Sequence, residues 1–123
     1  MLQKRIIPLL LLSENKIVKT EKFENPKYVG DPLNVLKIFN EKEVDELILV
    51  DISIRKKNYN LQIELLKQFA SECYMPITYA GGIDNLKDAE TILSLGFEKI
   101  CVTNMFFNNP NTISIIANNF GKQ

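Results

Sequence analysis

The sequence contains no histidine and only two cysteines, and these shortages exclude several kinds of chemistry. Without histidine, neither a serine–histidine nor a cysteine–histidine pair can form, so nucleophilic catalysis of those types is excluded. Cys73 and Cys101 form no CxxC pair, and we therefore expect neither a metal nor another cofactor. Any acid–base chemistry must use Asp, Glu, Lys, Tyr or Cys side chains.

The chain also lacks an excess of charge and a long apolar segment. Its 15 basic residues balance 15 acidic ones, and the only basic cluster is Arg55-Lys56-Lys57, so nucleic acid is not an expected partner. The apolar residues 6–12 behind Lys4-Arg5 imitate a signal peptide, but Pro8 interrupts them and they are too few to span a bilayer. We expect a cytoplasmic protein without membrane contact.

What the chain does contain is a regular alternation of apolar strand patterns and amphipathic helix patterns within one domain, residues 1–123. Strands are predicted at residues 5–12, 46–52, 76–79 and 98–103, and helices begin at Asp31-Pro32, Tyr59, about Leu86 and Asn109-Pro110. Residues 20–30 are polar and are predicted to be a loop, whereas Cys101 is predicted to be a small core residue. The pattern is typical of an α/β fold with four successive βα units, a parallel sheet and no additional strand.

Two adjacent glycines, Gly81-Gly82, lie where the third predicted strand ends and the third helix begins. Such a pair suits a phosphate site, because a helix N-terminus presents free N–H groups and glycine allows a ligand close approach. It also suits a tight turn that needs positive φ, and the pair by itself favours the turn. Ligands of parallel sheets bind beyond the carboxyl ends of the strands. Those ends carry Leu11, Lys19, Asp51, Gly81, Gly82, Thr103 and Asn104.

The amino ends of the predicted strands carry charged residues, namely Arg5, Glu46, Glu98 and Lys99. They are either ordinary solvated strand ends or a charged ring around a central opening. If they form exposed ion pairs, those pairs contribute little to stability.

A series of short stretches, in this order and spacing, resembles the cyclase subunit of imidazole glycerol phosphate synthase, the HisF family. The stretches are Lys4-Arg5-Ile6-Ile7-Pro8, Val18-Lys19, Gly30-Asp31-Pro32, Asp45-Glu46-Leu47, Asp51-Ile52, Gly81-Gly82-Ile83, Glu98-Lys99 and Phe120-Gly121. The resemblance extends over the whole chain and implies the parallel (βα)4 N-terminal half of a TIM-type (βα)8 barrel.

The resemblance also implies partners and site residues. Members of this family use ammonia from a glutaminase (HisH-like) partner on a phosphorylated sugar-type substrate. The implied ammonia gate is Arg5, Glu46 and Lys99, with Glu98 as a contact to the glutaminase. The implied phosphate and substrate ligands are Gly81, Gly82, Thr103 and Asn104. Lys19 is a candidate for catalysis from a substrate loop, or a solvated lysine; Asp51 is a candidate for orienting substrate, or a loop cap.

The departures from the family pattern leave three functions open. Leu11 stands where the family has its first catalytic aspartate, and a leucine cannot transfer a proton. The alternatives are the cyclase of histidine biosynthesis, a HisF-like protein that delivers ammonia for sugar amidination in surface-sugar clusters, and a non-catalytic half-barrel that binds phosphate or a partner. The chain is a fragment, a truncated gene product or one of two copies that close a barrel. Because four strands leave two edges and an apolar interior uncovered, we expect the isolated chain to self-associate or to be poorly soluble.

Overall fold

A computed structural model describes residues 3–53 and 60–121. The strands are β1 (Leu9–Ser13), β2 (Lys16–Glu21), β3 (Glu24–Gly30), β4 (Leu47–Asp51), β5 (Ile77–Ala80) and β6 (Lys99–Cys101). The helices are α1 (Pro32–Lys42), α2 (Ile63–Glu72), α3 (Leu86–Ser94), α4 (Asn104–Asn108) and α5 (Pro110–Phe120). The basic cluster Arg55-Lys56-Lys57 and the predicted helix start at Tyr59 lie outside the described residues.

All described strands belong to one six-stranded sheet in the order β3-β2-β1-β4-β5-β6. β1, β4, β5 and β6 are paired in parallel, and helices connect them, which confirms the predicted βα units. The arrangement is that of half a TIM-type barrel. Pro32 and Pro110 occupy the first turns of α1 and α5, as expected for residues that begin helices.

The prediction of a loop at residues 20–30, with no strand beyond the four, is wrong. β2 pairs antiparallel with both β1 and β3, so a hairpin extends the sheet. Both connecting turns have two central residues at positive φ, Glu14 (48°) with Asn15 (66°) and Lys22 (51°) with Phe23 (64°). Turns of this handedness match the twist of hairpin strands. The polar composition of residues 20–30 hid the hairpin because β3 is largely exposed and buries almost no apolar side chain.

The core lies between one face of the sheet and the helices. The fully buried strand residues Leu12, Leu47, Leu49 and Tyr79 pack there with helix residues. The helix residues buried in this core are Leu36, Leu66, Phe69, Ala89 and Ile92. Alternation along the strands therefore leaves the other face of the parallel strands less covered.

One row of residues crosses that second face. The strand register aligns Leu11 with Val50, Val50 with Ala80, and Ala80 with Cys101. The prediction that Cys101 is a core residue is wrong, because it is exposed. Its strand, β6, ends the sheet formed by the described residues, and its side chain lies on the face turned away from the helices.

Cys73 lies at the end of α2 and is half-buried. Burial raises the pKa of the Cys73 thiol, which is therefore mainly protonated at neutral pH. The thiol donates to the carbonyl of Met75 (Sγ to O, 3.3 Å).

No helix in the described part of the chain is long and apolar enough to cross a membrane.

Candidate functional site

A cavity of about 370 Å³ opens at the carboxyl ends of β4, β5 and β6. It brings together five residues that the sequence placed at strand ends: Asp51, Gly81, Gly82, Thr103 and Asn104. The sheet accounts for this, because the carboxyl ends of parallel strands lie along one edge. The remaining lining residues are mostly apolar, as is common in small-molecule sites.

Lys19 does not join this group. Among the described residues, the cavity lining does not include Lys19, which is exposed on β2 and pairs across the hairpin with Lys27. The hairpin reaches the cavity through its tip instead, where Phe23 contributes to the lining. Phe23 is 68% exposed and has a φ of 64°, an unfavourable conformation for a bulky side chain. The sequence reading missed Phe23, and its only signal was an aromatic side chain within a polar segment.

The base of the hairpin is attached to the start of α1. The Tyr28 hydroxyl donates to Asp31 Oδ1 (3.3 Å), and Lys16 Nζ lies 5.9 Å from the centre of the Tyr28 ring. Desolvation, followed by the charge and hydrogen bond of Asp31, raises the pKa of Tyr28. Asp31 makes no side-chain bond to the helix N-terminus, so its carboxylate contacts the hairpin while its backbone begins α1.

The glycine pair has the backbone geometry of the predicted tight turn, with φ values of 132° at Gly81 and 68° at Gly82. A Cβ atom on Gly81 would lie 2.6 Å from the carbonyl oxygen of Asp51 and 3.1 Å from its amide nitrogen. Gly81 is therefore required both for its φ and for the close approach of β5 to the end of β4. The helix that follows, α3, begins behind Asn85, whose side chain accepts from the Asp88 amide (2.8 Å).

The Asp51 carboxylate is held by the segment that follows β4. Its Oδ1 accepts from the Ser53 amide (2.9 Å) and from the Ser53 hydroxyl (2.7 Å). Asp51 is only 4% exposed and Ser53 is fully buried. These bonds agree with the loop-cap interpretation of Asp51, and its contact with substrate stays a prediction. The sequence reading missed Ser53, because a serine after a strand carries no distinctive signal.

At the opposite end of the strands, the three residues of the predicted gate lie together. Glu46 forms one ion pair with Arg5 (3.7 Å between Nη1 and Oε2) and another with Lys99 (3.6 Å between Nζ and Oε1). The Glu46 side chain is 19% exposed, whereas those of Arg5 and Lys99 are 68% and 49% exposed. Glu98 is exposed next to Lys99. The predicted charged cluster is therefore present, and its partly shielded member is the carboxylate.

Asp45 positions the segment that carries Arg5. Its carboxylate accepts from the Ile6 amide (2.7 Å), and its own amide donates to the Ile6 carbonyl (3.1 Å). The predicted strand start at Arg5 is too early, since β1 begins at Leu9 and Pro8 has no N–H to donate to a neighbouring strand. Within the described ranges, no group of three or more His, Cys, Asp and Glu residues could hold a metal ion.

The close contact at Gly81 predicts that substitution there causes a steric clash, whereas the same substitution at Gly96 does not. We expect Gly81→Ala to lower the free energy of unfolding by about 1–3 kcal/mol more than Gly96→Ala, because only the first places a Cβ against backbone. Gly96 is the control, since its φ of 111° is also positive but its Cβ would meet only Ala70 Cβ at 3.7 Å. Urea denaturation measures both; equal losses would show that φ alone, and not the approach to Asp51, requires glycine at position 81.

Comparison with known proteins agrees with this geometry. The sequence profile of the family described as "Histidine biosynthesis protein" matches residues 5–123. The chain is 50% identical over 123 residues to "Putative imidazole glycerol phosphate synthase subunit hisF2" of Pseudomonas aeruginosa, which covers 100% of this chain and 49% of that protein. It is equally similar, at 50%, to the "Putative imidazole glycerol phosphate synthase subunit HisF" of Leptospira borgpetersenii, with 100% and 48% covered.

A third relative is the "Imidazole glycerol phosphate synthase subunit HisF" of Exiguobacterium sibiricum, which is 38% identical over 100% of this chain and 49% of that protein. The chain therefore spans about half the length of the curated relatives it matches. Since the family profile and these relatives extend over essentially all of its residues, the chain belongs to the histidine biosynthesis protein family and is a homologue of imidazole glycerol phosphate synthase subunit HisF.

Proposed function

We propose that this chain supplies one phosphate site and the ammonia entrance of a HisF-like synthase subunit. The subunit would act in the cytoplasm with a glutaminase (HisH-like) partner, using its ammonia on a phosphorylated sugar-type substrate as in imidazole glycerol phosphate synthesis. The observation that carries the proposal is the separation of two clusters. Gly81, Gly82, Thr103 and Asn104 line a cavity at the carboxyl ends of the strands. Arg5, Glu46 and Lys99 meet at the amino ends.

The chemistry of the cavity suits a phosphate group bound by neutral donors. Gly81 and Gly82 bring backbone without side chains to the cavity lining, and Thr103 and Asn104 add a hydroxyl and an amide after the next strand. No basic side chain is found among the described lining residues, which include the acidic Asp51 and Asp84. Positive charge would have to come from outside the lining, and we propose that Lys19 supplies it, because it lies on the hairpin whose tip residue Phe23 lines the cavity.

A titration with inorganic phosphate tests this site. We expect the amide resonances of Gly82 and Asn104 to shift on saturation, and Lys19→Gln to weaken binding about fivefold, as the loss of one nearby solvated charge implies. Lys37→Gln is the control, because Lys37 is equally exposed but lies on α1. Shifts spread over surface lysines, without a response at Gly82, would contradict a phosphate site at the glycine pair.

At the amino ends, the charged cluster suits an entrance for ammonia. Glu46 pairs with two cations at 3.6–3.7 Å, distances at which a small side-chain rotation opens or closes the contact. Because both cations are substantially exposed, each ion pair contributes little to stability. The pairs can therefore open to let ammonia pass at little cost to the fold. Glu98 would contact the glutaminase from its exposed position beside Lys99.

A second candidate is a HisF-like protein that delivers ammonia for sugar amidination. The row of aligned residues on the sheet face turned away from the helices, called the inner face below, favours it. Leu11, Val50, Ala80 and Cys101 are aligned there, and none carries a carboxylate. The ammonia entrance is thus kept while the position of the family's first aspartate has lost its proton-transfer group. A non-catalytic half-barrel that binds phosphate or a partner is the third candidate, and it needs only the cavity.

Complementation of a host that lacks the cyclase separates the first two candidates, using the full-length gene. We expect Leu11→Asp to improve growth without histidine, because it places a titratable group at the position in β1 where the family has an aspartate. Leu9→Asp is the matched control, since it adds a carboxylate on the same face one step along β1. Full growth by the unaltered gene would contradict sugar amidination as the function. No growth with either the unaltered gene or Leu11→Asp would contradict the histidine-biosynthetic function.

We also infer that two copies of the 123-residue chain associate through the inner sheet face. Leu9 is 56% exposed there, Cys101 is exposed, and β3 and β6 end the sheet of the described residues without a further strand. We expect sedimentation at micromolar concentration to show dimers or larger species, and Leu9→Glu to shift them towards monomer. Ile38→Glu, at a position 54% exposed on α1, is the control and should change nothing. A monodisperse monomer would contradict self-association.

A further inference from the structure

The Ser53 hydroxyl connects two parts of the fold that are distant in sequence. It donates to Asp51 Oδ1 (2.7 Å) and accepts from the Glu14 amide (3.1 Å). Ser53 is fully buried, so water cannot easily replace either partner. One side chain thus bonds both the carboxylate at the end of β4 and the turn between β1 and β2.

The turn that Ser53 contacts connects β1 to the hairpin strand β2. Glu14 and Asn15 both have positive φ, which is costly for residues other than glycine and persists only where the surroundings fix it. The hydrogen bond from the Glu14 amide to the Ser53 hydroxyl helps to hold Glu14 in this conformation. β2 leaves this turn and runs to the tip at Phe23, which lines the cavity.

On its other side, Ser53 is linked to the glycine pair through Asp51. The backbone of Asp51 lies so close to Gly81 that no Cβ fits between them, and the side chain of Asp51 accepts two bonds from Ser53. A continuous series of contacts therefore runs from the glycine pair through Asp51 and Ser53 to the base of the hairpin. A series of hydrogen bonds and close contacts of this kind can transmit coupling between sites.

We propose that Ser53 is a positioning residue that holds the β2–β3 hairpin at the cavity and couples hairpin order to phosphate occupancy at Gly81-Gly82. The coupling rests on the phosphate site proposed above, whereas the holding of the hairpin does not. Ser53 acts through Asp51 and Glu14 and does not itself contact a ligand. Ser53, which no sequence pattern distinguishes, thereby connects the hairpin to the cavity.

Amide hydrogen exchange on the complete chain without ligand tests the first half of the proposal. We expect Ser53→Ala to speed exchange in β2 and β3 by about tenfold, since it removes the partner of a part-buried amide, while β4 and β5 exchange as before. Ser53→Thr retains the hydroxyl and should behave as the unaltered chain. Ser94→Ala removes a hydroxyl that bonds the Thr91 carbonyl on α3, and it should leave the hairpin unchanged. Unchanged hairpin exchange in Ser53→Ala, or equal acceleration in β5, would overturn the proposal.

Addition of inorganic phosphate tests the coupling. In the unaltered chain and in Ser53→Thr, we expect phosphate to shift the Gly82 amide and to slow exchange in β2 and β3. In Ser53→Ala the Gly82 amide should still respond and the hairpin should not, a separation that a merely structural serine would not produce. Equal slowing in all three proteins would overturn the coupling. Absence of any response at Gly82 in the unaltered chain would contradict the phosphate site and with it the coupling, and the ligand-free exchange would then decide the positioning role of Ser53 alone.

Discussion

The close approach of Gly81 to the backbone of Asp51 constrains the carboxyl edge of the sheet. No side chain fits between the two residues, and both line the same cavity. Asp51 is then buried and turns its carboxylate to Ser53, which in turn contacts the first hairpin turn. The contact at this glycine is therefore the first of a series that joins three segments, otherwise far apart in the chain, at the candidate site.

The two ends of the parallel strands differ in charge and in solvent exposure, and the difference suits two different roles. At the amino ends, charged side chains meet in solvent-accessible ion pairs around Glu46. At the carboxyl ends, backbone and neutral polar groups surround a mostly apolar cavity. Charges that remain hydrated can exchange partners at little cost, whereas a ligand held by oriented backbone needs a rigid support. The glycine contact and the Asp51–Ser53 bonds supply that support.

Much of the parallel sheet could be predicted from the sequence, because each of its strands is an apolar segment followed by a helix pattern with a recognisable start. Pro32 and Pro110 mark two of those starts. The strand ends then followed, and with them Asp51, Gly81, Gly82, Thr103 and Asn104 on one cavity. The hairpin was not predictable by the same logic, since β3 is stabilised by backbone pairing and its side chains are largely solvated. Ser53 and Phe23 were missed for a related reason: their importance arises from contacts between segments, which local patterns do not encode.

The two interpretations of the glycine pair are not exclusive once the geometry is known. Gly81 and Gly82 have positive φ, as the turn requires, and both also line the cavity. The proposed phosphate site uses backbone and neutral donors, so it does not depend on the side chains of the neighbouring row of Leu11, Val50, Ala80 and Cys101. Three members of that row line the same cavity. Leu11 belongs to this row but not to the described lining of the cavity. A change of side chain at position 11 therefore need not disturb the groups proposed to hold phosphate.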